Sequence, residues 1–131
     1  MGLKKKDNKS WRDKQVQNRT HGAARAKQIL SIVGSDKLFS IVTRDGTFYE
    51  GPCIHCGTKL IVEFDGGTSA TIEHIVPLSA AGSSVDISNL SLACKNCNNE
   101  KGVRHDPNYM RDPRSTEVIN NLLSRREARL K

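Results

Sequence analysis

The sequence has few aromatic residues and no long apolar segment. Phe, Trp and Tyr together make up 5% of the 131 residues, so hydrophobic burial alone gives a domain of this size a modest core. No apolar run approaches the roughly 18 residues of a membrane-spanning helix. Polar residues also follow Met-Gly-Leu-Lys-Lys-Lys, where a signal peptide would need an apolar stretch. We therefore expect one compact, intracellular, cytoplasmic domain.

The four cysteines form two pairs of identical spacing. Cys53 and Cys56 make the first CxxC pair, and Cys94 and Cys97 make the second. Each CxxC turn presents two thiolates to one ion, and four thiolates suit a tetrahedral structural zinc site. In a reducing compartment such cysteines bind a metal more often than they form disulfides. The spacing therefore predicts a structural Zn²⁺ that joins two distant segments.

The positive charge is concentrated at the two ends of the chain. Residues 28–124 hold more acidic than basic residues, and the last seven residues are again basic. We expect both ends to contact the phosphates of a nucleic acid, while solvated tails that keep the protein soluble are the alternative. The first 27 residues, called the arm below, account for the whole net charge of +7 with Lys4, Lys5, Lys6, Lys9, Arg12, Lys14, Arg19, Arg25 and Lys27.

Local patterns divide the chain into four parts and predict an α+β fold. Residues 1–9 read as a disordered basic lead, and residues 10–50 as a helix from Trp11 to about Val33 followed by a hairpin around Arg44-Asp45-Gly46. Residues 51–105 hold three further strands and a short helix that we expect to stop at Gly102. Residues 106–131 hold a last helix that begins after Asp112-Pro113.

Residues 53–102 resemble the HNH nuclease family, whose fold is a ββα-metal unit. The residues that carry the resemblance occur in the family's order: the first cysteine pair, Glu73-His74-Ile75-Val76-Pro77-Leu78, Asn89-Leu90, the second cysteine pair with Asn98, and Lys101-Gly102. The resemblance implies a small α+β HNH core flanked by N-terminal and C-terminal helices. It also implies metal-dependent hydrolysis of DNA phosphodiester bonds that leaves 5′-phosphate and 3′-hydroxyl ends.

The resemblance also implies a role for each motif residue. His74 would be the general base, Glu73 and Asn98 the ligands of a catalytic ion, and Asn89 the residue that holds the loop after the base. One carboxylate and one amide oxygen favour Mg²⁺ or Mn²⁺. Lys101 and Arg104 would contact the phosphate.

Each of these residues also has a simpler interpretation. His74 would then be a hydrogen-bonded strand residue, Glu73 an exposed one, Asn98 a helix cap, and Lys101 and Arg104 ordinary surface charges. His105 is a rival ligand to Asn98, and His55 is expected to be exposed. Because neighbouring strand residues face opposite ways, Glu73 and His74 serve one site only if the strand twists sharply or ends between them.

Double-stranded DNA is the expected partner, and three arrangements of the activity stay open. One active site per chain nicks one strand, so a double-strand break requires a homodimer or two visits. A non-catalytic zinc module that binds nucleic acid or a protein is the rival class. A third interpretation is an accessory nuclease that is active only within a larger phage or defence assembly.

Overall fold

The computed structural model describes residues 19–43 and 46–131. In chain order, its helices and strands are α1 (Arg19–Gly34), β1 (Ser40–Val42), β2 (Phe48–Pro52), β3 (Lys59–Glu63), β4 (Thr71–His74), β5 (Leu90–Ala93), α2 (Lys95–Arg104) and α3 (Pro113–Arg129). Short 3-10 turns lie at Leu78–Ala80, Ile87–Asn89 and Asp106–Asn108. No helix in these residues is both long and apolar enough to cross a membrane.

The strands form two small antiparallel sheets. β1, β2 and β3 make a three-stranded meander, and β4 pairs with β5 in the register His74 to Leu90. The amide of Ile54, in the turn after β2, donates to the carbonyl oxygen of Leu92 at 3.1 Å and so joins the first cysteine turn to β5. With α2 packed on β4, residues 71–104 form a strand, strand, helix unit. The α+β prediction with a ββα core is confirmed.

Helix α1 covers the second sheet from outside this unit. Ile29, Ile32 and Val33 are buried in the common core, and α1 packs against β5. Gly66, in the turn after β3, has φ +92°, and a Cβ atom there would lie 2.7 Å from the Cβ of Ala26. That close approach needs glycine, because any other residue would push the turn away from α1.

Several predicted elements are confirmed and one boundary is wrong. α1 ends at Gly34 and continues through Gly22, while Ser10 to Asn18 and the hairpin residues Arg44 and Asp45 lie outside the described residues. α2 does not stop at Gly102 but runs to Arg104, because the His105 amide still bonds the Lys101 carbonyl oxygen at 2.8 Å. α3 begins as expected, with the Asp112 carboxylate accepting from the Arg114 amide at 2.9 Å.

Two of the four cations in the basic C-terminal end are buried, so the expectation that they contact phosphates is wrong for Arg126 and Arg129, whereas Arg125 and Lys131 are exposed. Asp36, Arg126 and Arg129 are all buried and form an ion cluster, called the Asp36 cluster. Arg126 Nη1 lies 3.1 Å and Arg129 Nη2 lies 2.8 Å from Asp36 Oδ2. Burial lowers the pKa of the Arg126 guanidinium, and the Asp36 charge opposes that effect. Desolvation makes these cations costly unless they are paired, so the end of α3 contributes to the core rather than to the positive surface.

Removing the shared carboxylate should therefore destabilise the protein strongly. We expect Asp36→Ala to lower the free energy of unfolding by about 3 to 5 kcal/mol, because two buried guanidinium groups lose their counter-ion. Urea denaturation followed by circular dichroism measures the loss. Glu100→Ala is the control, since it removes an exposed ion pair with Arg104 and should cost about 0.5 kcal/mol or less. Equal losses in the two variants would contradict the assignment.

Candidate functional site

The four cysteines meet at one point and form what we call the sulfur cluster. All four Sγ atoms lie within 4.8 Å of one another, and those of Cys56 and Cys94 are 4.0 Å apart. The backbone amides of His55 and Cys94 donate to the sulfur of Cys53 at 3.4 and 3.3 Å. Four sulfurs at tetrahedral positions about 2.3 Å from an ion are separated by about 3.8 Å. The sulfur atoms would therefore need to move only slightly closer together to bind a metal ion.

The electrostatics of the sulfur cluster also favour a bound cation. Burial raises the pKa of the Cys97 thiol, and hydrogen bonds with Cys94 and Cys56 and the charge of nearby thiolates raise it further. Thiolates that are crowded in this way need a positive charge among them, which a divalent metal supplies as it displaces the protons. Both the geometry and the donor chemistry of the cluster thus fit a thiophilic ion.

Glu73 and Lys101 form a second buried ionic group between β4 and α2. Glu73 is 1% exposed, and its Oε1 atom lies 3.0 Å from Lys101 Nζ and 3.2 Å from His55 Nε2. Lys101 Nζ also contacts Asp106 Oδ1 at 2.5 Å and donates to the carbonyl oxygen of His74 at 3.1 Å. We call the side chains of His55, Glu73, Lys101 and Asp106 the Lys101 cluster.

Three expectations for these residues need correction. Lys101 is 2% exposed, so its ammonium is an internal cation and not a surface contact for phosphate. Glu73 is not an exposed strand residue. His55 is not exposed, because hydrogen bonding to Glu73 leaves its side chain 14% accessible. In each case the turn of the first cysteine pair and α2 close over the same face of β4.

The remaining candidates on α2 lie in different surroundings. Asn98 Nδ2 donates to Thr71 Oγ1 at 2.9 Å and to the carbonyl oxygen of Ile72 at 3.3 Å, so Asn98 shares the β4 face with Glu73. His105 Nδ1 lies 2.9 Å from Ser115 Oγ, which directs it to α3 rather than to a shared site with Asn98. Arg104 is exposed and pairs with Glu100 at 3.3 Å.

His74 lies in a different environment from Glu73. The two side chains are neighbours on a strand and so project to opposite sides. His74 is half-buried and lines an open cleft of about 660 Å³ between α1 and β4. The residues of this His74 cleft are Ala24, Arg25, Gln28, Thr71, Ile72 and His74. β4 ends at His74, so the chain turns away directly after the imidazole.

Asn89 holds the loop that follows His74. Its Oδ1 atom accepts from the Val76 amide at 2.8 Å, and its Nδ2 atom donates to the carbonyl oxygens of Val76 at 3.1 Å and Ser83 at 2.9 Å. These are the side-chain to backbone bonds that the resemblance implies. Gly82 packs so tightly that a Cβ atom would lie 1.9 Å from the Val76 oxygen. The loop that follows His74 is therefore compact, because Val76 and Ser83 are both hydrogen-bonded to the Asn89 side chain.

Asp86 closes the far end of the same loop. Its carboxylate accepts from the hydroxyl and the amide of Ser88 at 2.7 and 3.0 Å, which lowers the pKa of Asp86, the hydroxyl bond having the larger effect. The bond caps the 3-10 turn that carries Asn89. The position of Asn89 is thus supported from both sides.

β4, β5 and α2 form a ββα unit, with the first cysteine turn before the strands and the second cysteine pair at the start of the helix. Residues 53–104 match the family model described as HNH endonuclease, and the ββα arrangement of this segment agrees with that match. The match covers less than half of the 131 residues. No curated protein and no solved structure matches the chain significantly.

The sequence did not point to two parts of the site. Asp106 precedes Pro107, which favours a break after α2, and its spacing of five residues from Lys101 is not one that brings two helical side chains together. Gln28 was not singled out, because no local pattern relates α1 to β4. Within the described residues, the sulfur cluster is the one group of three or more His, Cys, Asp or Glu side chains arranged to hold an ion.

The bonds of Asn89 lead to a prediction about the loop. We expect Asn89→Ala to lower the free energy of unfolding by about 1 to 3 kcal/mol, because backbone groups of residues 76 and 83 lose their partners. Asn89→Asp keeps an acceptor for Val76 but turns a carboxylate oxygen toward two carbonyl oxygens at a buried position, so its loss should equal or exceed that of alanine. Chemical denaturation measures all three. An alanine or aspartate variant as stable as the wild type would contradict this account.

Proposed function

We propose that the protein is a metal-dependent endonuclease that hydrolyses phosphodiester bonds of DNA, with His74 as the general base. The observation that carries the proposal is the position of His74, at the end of β4 in an open cleft and within the HNH match. The imidazole of histidine accepts a proton near neutral pH, and activation of water requires such an acceptor. The bonds of Asn89 to the next loop support a fixed orientation of the base.

In the proposed reaction, His74 takes a proton from a water molecule while the oxygen of that water attacks the phosphorus atom. The new P–O bond forms while the bond from phosphorus to the 3′-oxygen breaks, and that oxygen takes a proton from solvent. The products carry a 5′-phosphate and a 3′-hydroxyl. The contact of Lys101 Nζ with the His74 carbonyl oxygen restrains the backbone that carries the base.

We propose Glu73 and Asn98 as the protein ligands of a catalytic Mg²⁺ or Mn²⁺. Both lie on the β4 face that meets α2, and carboxylate and amide oxygens are the donors that such ions prefer. Lys101 already holds Glu73 Oε1, so a metal must share that carboxylate with the ammonium or displace it. Glu73 is buried on the side of β4 away from His74, so an ion there would reach the phosphate at His74 only after α2 or the first cysteine turn opens or the strand end twists. In that arrangement, the ion would offset the negative charge that develops on the phosphate oxygens.

The sulfur cluster is proposed to hold a structural Zn²⁺ through Cys53, Cys56, Cys94 and Cys97. Four thiolates complete a tetrahedral shell and leave no open position for a substrate. The ion would join the turn before β3 to the start of α2.

The basic arm is proposed to supply sequence-independent phosphate contacts to double-stranded DNA. The side chains of its residues 1–21 lie outside the described residues. The exposed Arg104 would add one contact at the end of α2. A homodimer or a larger assembly would supply a second active site for cleavage of both strands.

The buried pairing of Glu73 with Lys101 favours a second candidate, a zinc-braced module that binds nucleic acid without cleaving it. In that case the Lys101 cluster would serve only to hold α2 on β4. An accessory nuclease that needs a partner assembly would cleave weakly alone. The experiments below separate these candidates by cleavage, metal dependence and zinc content.

The first test measures nicking of supercoiled plasmid with Mg²⁺ or Mn²⁺ present or absent. We expect His74→Ala to lower the rate by roughly 10² to 10⁴, which is the usual contribution of a general base. His105→Gln is the control, because it removes an imidazole that contacts α3 instead of the His74 cleft. Equal nicking by wild type and His74→Ala would remove His74 from the mechanism.

Glu73→Gln in the same assay tests whether Glu73 binds the catalytic ion. If it does, the metal concentration that gives half-maximal nicking should rise roughly tenfold or more. If Glu73 has a purely structural role, the variant should lose thermal stability and keep the metal requirement of the wild type. No nicking by any form, with DNA binding retained, would favour the non-catalytic module.

The second test concerns zinc. We expect Cys94→Ser to lose most of the bound zinc and to lower the free energy of unfolding by several kcal/mol, since metal binding is coupled to folding in such sites. Elemental analysis and thermal denaturation measure the two effects. His74→Ala should keep the zinc content of the wild type. A wild type purified without zinc and unaffected by chelators would contradict the proposed ion.

A further inference from the structure

Helix α1 forms the second wall of the His74 cleft, although it lies outside the HNH match. The wall consists of Ala24, Arg25 and Gln28, and the opposite wall is the end of β4. Arg25 Nη2 donates to the Ala70 carbonyl oxygen at 3.2 Å, and Gln28 Nε2 donates to that of Ser84 at 2.7 Å. These bonds join α1 to both segments that flank His74 along the chain. The cleft therefore exists only because α1 is in place.

The chemistry of the lining suits an anionic strand. None of the six residues that line the cleft is acidic, and Arg25 is an exposed cation at its rim. A guanidinium has five N–H donors, so the bond to Ala70 leaves donors for phosphate oxygens. Gln28 likewise has a second amide N–H and an acceptor oxygen. The cleft thus combines a positive charge and neutral donors with the proposed base.

The other side of α1 has a different character. Lys27 lines a neighbouring cavity with Ala23, Ala24, Ala26, Leu30 and Asp65, so a carboxylate shares its surroundings. This cavity shares Ala24 with the His74 cleft. Residues 25 and 28 lie three apart on the helix and so share one face. The two faces of α1 are therefore not equivalent, although both carry a cation.

We infer that Arg25 and Gln28 form a phosphate-binding subsite for the nucleic acid strand that is cleaved at His74. This inference rests on the proposed function. It assigns to Arg25, a cation of the arm that lies within α1, a contact at the reacting strand, as distinct from the sequence-independent attraction that the other cations of the arm supply. Arg25 would bind a backbone phosphate beside the scissile one, and Gln28 would hydrogen-bond to the same strand.

The test measures binding and cleavage separately in the full chain. Binding of a fluorescent DNA duplex is followed by anisotropy over a range of salt concentrations, with His74→Ala as the background so that no strand is cut. We expect Arg25→Gln to weaken binding roughly tenfold and to reduce the slope of log K against log salt by about 1. Gln28→Ala should weaken binding less and leave the slope unchanged.

Two further variants separate the effect of the Arg25 charge from that of its bond to Ala70. Arg111→Gln removes the same charge from an exposed position that lines a different cavity, and it should leave affinity and slope unchanged. Arg25→Lys keeps the charge, and it should restore the slope even if the bond to Ala70 is lost. Equal effects of Arg25→Gln and Arg111→Gln would overturn the inference, and so would a failure of lysine to restore the slope.

Plasmid nicking with the unmutated His74 distinguishes this inference from the proposed function. If the wild type nicks DNA and Arg25→Gln nicks it with the same kcat and KM, the subsite is wrong and the nuclease assignment stands. If the wild type does not nick but Arg25→Gln loses affinity, the nuclease assignment fails and α1 is a binding surface only.

Discussion

The rest of the structure depends on the meeting of the two CxxC turns. Cys94 directly precedes α2, so the sulfur cluster sets where that helix begins relative to β4. The same contact brings the first turn onto β5 through the bond from Ile54 to Leu92 and brings His55 to Glu73. A change at the sulfurs would therefore shift α2, and with it Asn98 and Lys101, relative to β4. The site is thus built on ionic and hydrogen-bonded contacts as much as on the small hydrophobic core.

Buried charges explain why the net charge overstates the positive surface. Lys101, Arg126 and Arg129 are all nearly inaccessible, and each is paired with a carboxylate, which Arg126 and Arg129 share at Asp36. Their desolvation costs free energy, which the shared counter-ions and backbone oxygens offset. Charge available to a polyanion is therefore concentrated in the arm, which includes the exposed Arg25, and on exposed residues such as Arg104. The charge pattern alone did not show this difference, because burial is a property of the fold.

Sequence reasoning succeeded where the signal was local or set by spacing. The hairpin of β1 and β2, the strand β5, the cap at Asp112 and the grouping of the four cysteines each depend on a few neighbouring residues or on a repeated motif. It was wrong where tertiary contacts outweigh local preference. Glycine at position 102 did not end α2. Lys101 is buried and His55 is half-buried because distant segments close over them. The pairing of Asp36 with two arginines more than 85 residues away had no local signal.

The separation of His74 from Glu73 by the strand has a physical consequence for any reaction at this site. Proton transfer and cation binding would occur on two sides of the end of β4, each with its own surroundings. The side with Glu73 is closed by α2 and the first cysteine turn, so its electrostatics are set within the HNH match. The side with His74 is open and is completed by α1, which depends on Ile29, Ile32 and the close approach of Gly66. The HNH segment alone therefore lacks one wall of the cleft that contains its proposed base. Substrate contacts at that base are consequently a property of the whole fold rather than of the motif.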